Sequence, residues 1–144
     1  MTRWPAYLRI PDFLPVPVRS RSDGWTPVRQ GEFVGWLAQT GSVAEAATRV
    51  GCSRESAYRL RRKAGAEHFA AAWDFAASVG AHDRAQRKFT GTDLPALALG
   101  CVLRVRMRRG RYAGCLLVAR DSALLRLMAR LDRACAPFDA KVWE

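Results

Sequence analysis

The sequence predicts a mainly α fold: a helix-turn-helix helical core followed by a β-hairpin and a C-terminal helix. Three observations predict it. Helix-start and helix-stop residues recur at short intervals from Thr26 to Lys63. A period-two alternation sets Leu103, Val105 and Met107 against Arg104, Arg106 and Arg108. After Asp121 and Ser122, either of which can cap a helix, Leu124, Leu125, Leu127, Met128 and Leu131 recur at helical spacing.

The first helix begins at Thr26-Pro27, because proline at the first helical position gives up an amide that has no partner there anyway. Phe33, Trp36 and Leu37 fall on one face, and Gly41 ends the helix. Ser42-Val43-Ala44-Glu45 has the form of a capping box, in which serine and glutamate satisfy each other's orphan amides. This second helix is short and stops at Gly51. Ser53 caps a third helix that runs to about Lys63. Ala46 and Ala47 are small enough for two helices to cross closely, and Val50, Cys52, Ala57 and Leu60 supply the shared apolar side. Farther on, Phe69, Trp73 and Ala76 or Ala77 form a stripe expected to pack on Phe33 and Trp36.

Around this core the chain divides by composition. Residues 1–24 hold Pro5, Pro11, Pro15 and Pro17 and read as an extended or disordered arm. Residues 25–80 are the helix-turn-helix domain, and 81–100, with Gly91, Pro95 and Gly100, read as a connector. Residues 101–134 are a β-hairpin, bending around Arg109 to Arg111, plus a helix, and 135–144 are a tail. The hairpin and helix serve as a wing or as a dimerisation element.

Charge narrows the partner classes. There are 24 Lys and Arg against 13 Asp and Glu, a net charge of +11 and a pI near 10.7. Such a surplus favours a polyanion, since bound phosphates release their condensed counterions. The four cysteines, Cys52, Cys101, Cys115 and Cys135, form no close pair, and His68 and His82 complete no ligand spacing. No metal or cofactor is expected, and the thiols are expected to be reduced and buried. No nucleophile with a base, and no phosphate loop, suggests an enzyme. The prolines interrupt any apolar run at the N-terminus, so a cytoplasmic location is expected.

Candidate binding residues follow from the third helix. Ser53, Arg54, Glu55 and Arg59 are expected to read base edges; the arginines suit guanine, and the glutamate either accepts from a cytosine amine or repels phosphates and so prunes non-specific binding. Thr40, Ser42, Tyr58, Arg61, Arg62 and Lys63 are expected at phosphates. Arg19 and Arg21 either enter a minor groove or belong to a solvated tail. On the hairpin, Arg104, Arg106, Arg108, Arg109 and Arg111 either lie along phosphates or form a solvated face.

Trp25-Thr26-Pro27, then Thr40 to Ala47, then Val50-Gly51-Cys52-Ser53-Arg54-Glu55-Ser56-Ala57-Tyr58-Arg59-Leu60-Arg61, resemble the helix-turn-helix of phage small-terminase-like and resolvase/invertase-like DNA-binding domains. Phe69 to Asp74 resembles the next helix of the terminase-like group. The likeness spans about residues 25–80 and extends to uncharacterised bacterial helix-turn-helix proteins. It implies that Ser53 to Arg62 reads double-stranded DNA; the recombinases' catalytic domain has no counterpart here. The expected function is sequence-specific DNA binding by a homodimeric transcriptional or phage-related regulator. A small-terminase-like packaging adaptor, or a protein-interaction adaptor with a solvated basic face, are the alternatives.

Overall fold

The computed structural model describes residues 3–19, 21–78 and 89–139. The described residues form six helices and one antiparallel hairpin: α1 (Pro27–Thr40), α2 (Val43–Arg49), α3 (Arg54–Arg61), α4 (Glu67–Ala77), α5 (Leu94–Leu99), β1 (Cys101–Arg108), β2 (Arg111–Ala119) and α6 (Asp121–Asp139). The fold is helix-dominated α+β. Its first unit holds α1 to α4 with most of the hairpin, and its second holds α5 and α6.

The first three helices start where their caps dictate. Thr26, Ser42 and Ser53 are all extended, and their hydroxyl oxygens accept from the amides of Arg29, Glu45 and Ser56. The expected capping box is only half formed. Glu45 reaches forward to Arg49 at 2.9 Å, and the Ser42 amide donates to Thr40 Oγ1 instead. Between α2 and α3, Gly51 holds φ at 77°, a left-handed turn that a side chain would oppose.

The N-terminal segment departs most from expectation. Rather than an arm, it is part of the core: Trp4, Ile10, Phe13 and Val16 are buried. Trp4 meets Phe75 edge-on at 5.7 Å, Phe13 sits 6.2 Å from Phe69, and Phe13 exchanges both backbone hydrogen bonds with Leu103 of β1. Prolines keep this segment extended and need no amide partner, while the apolar residues between them still find a surface. Fully buried Gln30 of α1 ties it down: its amide accepts from the Val16 N–H at 2.7 Å and donates to the Val16 and Trp25 carbonyls. Arg3 donates to the carbonyls of Leu37, Ala38, Ala76 and Ala77, so one guanidinium closes the C-terminal ends of both α1 and α4. Burial lowers its pKa from the ordinary arginine value.

Phe33 occupies the centre, with Trp73 at 4.8 Å, Trp25 at 5.4 Å and Phe69 at 6.0 Å. Trp36 turns elsewhere: its ring packs on Tyr112 at 5.1 Å, tilted by 54°, and Arg49 lies 4.3 Å over it. The hairpin reaches α1 closely because Gly35 has no side chain; a Cβ there would stand 2.1 Å from the Tyr112 ring. Positive φ at Arg109 and Gly110 makes the two-residue turn whose twist suits a hairpin. Leu103 and Val105 complete this core.

Two expected boundaries also move. The connector contains α5, whose Pro95 lies in the first turn, where it starts a helix rather than breaking one. The last helix continues past 134 to Asp139. Residues 79–88 and 140–144, which hold parts of the expected helix-turn-helix domain, connector and tail, lie outside the described residues, as do residues 1, 2 and 20 of the expected arm. In the second unit Leu97 and Ala123 are buried, and Arg120 lies 5.0 Å over the Phe89 ring. The cysteines are free but not buried as expected: Cys52, Cys101 and Cys115 are half-buried and Cys135 is exposed. No described helix is long and apolar enough to cross a membrane.

Candidate nucleic-acid interface

Helix α3 buries only Ala57 and Leu60. Ala46 and Ala47 of α2 are also buried, so α1, α2, α3 and α4 close around small side chains. At 3.6 residues per turn, the ridge opposite Ala57 and Leu60 is centred on Glu55 and Arg62. Ser53, Arg54, Glu55, Arg59, Arg62 and Lys63 are all exposed. Arg54 and Arg59, expected together on one face, stand about 140° apart around the helix and border the two flanks of that ridge.

The flanks differ. On the Arg54 side, the guanidinium lies 5.7 Å over the Tyr58 ring, and that ring packs on Trp73 at 5.2 Å. Arg61, expected at a phosphate, faces inward instead. It pairs with Asp74 at 2.8 Å and lies 5.2 Å over Trp73, so its charge is already engaged by α4. Thr40 is engaged as well, since its hydroxyl donates to the Trp36 carbonyl at 2.8 Å. Ser42 and Ser53 serve first as caps. Arg54, Arg59, Arg62 and Lys63 have no ion pair among the described residues.

On the Arg59 side, the segment preceding α1 runs antiparallel to α3. Pro17 lies against Gly65, where a Cβ would come within 3.1 Å of it. At the other end the Trp25 indole N–H donates to Ser56 Oγ at 3.2 Å. Between these points a cleft of about 400 Å³ is lined by Arg21, Trp25, Ser56, Arg59 and Lys63, among others. Arg21 is therefore not on a loose arm. Its carbonyl accepts from the Gly24 amide, and Arg29 holds the Gly24 carbonyl at 3.0 Å. Arg19 is exposed.

The hairpin arginines separate into two groups. Arg104 makes a two-pronged contact with Asp12, 3.2 Å through Nε and 3.0 Å through Nη2, and this hydrogen bond raises its pKa further. That charge is answered within the fold, against the wing reading at this position. Arg106, Arg108, Arg109 and Arg111 are exposed and carry no ion pair among the described residues.

Sequence reasoning missed Trp25 and Arg29 as the braces of the cleft. The signal was present, since both flank the Thr26 cap, but their partners are a turn and a helix away. It also missed Arg3, whose acceptors are far along the chain. No protein-family model, curated protein or solved structure matches this chain.

Proposed function

We propose that this protein binds double-stranded DNA sequence-specifically through α2 and α3, as a transcriptional or phage-related regulator. One observation carries the reading: α3 presents an exposed ridge centred on Glu55 and Arg62 and flanked by Arg54 and Arg59, the three arginines without acidic partners among the described residues, while its other side is locked into the core. A helix of about 10–12 Å diameter fits a major groove about 12 Å wide. Arg54 and Glu55, in the first turn, are the base readers; Arg62 and Lys63 meet phosphates. The net charge of +11 supports the same partner. A cytoplasmic location accompanies this role.

Self-association belongs to the proposal. Leu124, Leu125, Met128 and Leu131 of α6 are between 40% and 65% exposed, an apolar stripe that a second copy would cover. A homodimer would pair two reading helices on two half-sites. The same stripe keeps a small-terminase-like packaging adaptor as the second reading. Light-scattering mass separates them, a dimer supporting the regulator and a larger closed ring the adaptor.

Enrichment of bound fragments from a genomic DNA pool tests the main reading. Arg54→Ala should then weaken binding to the enriched site by about 1–3 kcal/mol and change binding to random duplex less. Absence of any enriched sequence, with no salt-linked binding, would overturn it in favour of the protein-interaction adaptor.

A further inference from the structure

We propose that the cleft between the segment before α1 and the flank of α3 is a clamp for DNA backbone phosphate, formed by Arg21, Arg59 and Lys63. The proposal rests on the DNA-binding reading above and changes two assignments within it. Arg59 grips the strand instead of reading a base. Arg21 acts on the groove that α3 occupies instead of reaching into a neighbouring minor groove.

The geometry leads there in three steps. First, the cleft brings together side chains from two separate parts of the chain, and three of them are cations. None has an acidic partner among the described residues, so their positive charge is left for an outside anion. Second, the cleft is braced. The Trp25–Ser56 hydrogen bond closes one end, Pro17 against Gly65 closes the other, and the turn from Arg21 to Gly24 is held by Arg29. The backbone that carries Arg21 is thereby fixed beside α3 before any ligand arrives, which lowers the ordering cost of a contact. Third, a helix nearly fills the major groove. A wall raised along its flank has no room beside base edges and must face the sugar-phosphate strand that borders the groove. Arg59 lies on that flank, about 140° from Arg54.

The ligand class is therefore a phosphodiester, and recognition there carries no sequence information. The test measures binding of the full chain to the enriched fragment and to a random-sequence duplex over a series of salt concentrations. Arg21→Gln, Arg59→Gln and Lys63→Gln should each lower the slope of log K against log salt by up to about one unit. Each should weaken both duplexes by the same factor, and Arg9→Gln, exposed and outside the cleft, should leave the slope unchanged. The pair Arg21→Gln with Lys63→Gln should lose less than the sum of the singles, because both would serve one phosphate. All these side chains are exposed, and unchanged thermal melting confirms that the variants fold.

Wild-type slopes for Arg21→Gln and Lys63→Gln would overturn the clamp while leaving DNA binding intact. So would an Arg59→Gln loss confined to the enriched fragment, which would return that residue to base reading. Failure of the unmodified protein to bind either duplex would remove the parent reading itself, a result distinct from both.

Discussion

The proline-rich segment before α1 and the leucine-rich helix α6 exchange the roles their compositions suggest. The first has the composition of a tail, yet Trp4, Ile10, Phe13 and Val16 are at most 4% exposed. The second has the pattern of a core helix, yet Leu125 is 65% exposed and Leu131 56%. Composition records what a segment is able to bury. Whether it does so depends on a complementary surface: α1, α4 and β1 supply one to the N-terminal segment, and a second copy is the proposed one for α6.

The sharpest way to break this contrast is at the buried end. Trp4→Ala or Phe13→Ala should destabilise the protein by about 3–5 kcal/mol, read as a lower denaturant midpoint, since each removes a ring packed on Phe75 or Phe69. An unchanged midpoint would return the segment to the status of an arm. Next comes Gln30→Ala, which strands the Val16 amide and carbonyl away from solvent. A loss of about 1–3 kcal/mol per abandoned group is expected. At the exposed end, Met128→Lys should leave the unfolding free energy of the monomer within about 0.5 kcal/mol while reducing the mass found by light scattering. A large stability loss without a mass change would place Met128 in a core of its own chain.

The smallest effect is alkaline. Burial raises the Tyr112 hydroxyl pKa from 10.0 and the Cys115 thiol from 9.0. The unfolded chain releases these protons at the ordinary values while the folded chain retains them. Their contribution is therefore complete below pH about 9 and declines as pH rises through the folded values. Tyr112→Phe should flatten the decline of stability above pH 10, checked by melting across that range; an unaltered pH profile would show that the hydroxyl ionises freely in the fold.

What was legible in the sequence was local. Thr26, Ser42 and Ser53 act on amides three residues ahead, so their spacing alone marks three helix starts. The alternation around Leu103 and the turn at Gly110 marked the hairpin for the same reason. What was hidden depended on remote partners. Phe13 needs Leu103, Arg104 needs Asp12, and no local pattern links them. Pro95 was misleading because a proline at a first turn and one in a connector look alike. At the candidate site, the basic character of α3 was readable. The withdrawal of Arg61 to Asp74 and the approach of Arg21 were not, because both arise from how α3 meets other segments.

The position of Gly35 beneath the Tyr112 ring bears on how the protein is made. Helices α1 to α4 leave the ribosome before the hairpin exists, with several seconds of synthesis still to come at about 5–20 residues per second. Throughout that interval the Gly35 side of α1 faces water, the cavity beside Phe13 lacks Leu103, and the newborn domain waits half-dressed for its own later sequence. Chaperone capture of nascent chains should accordingly peak after α4 emerges and fall away once β2 is complete.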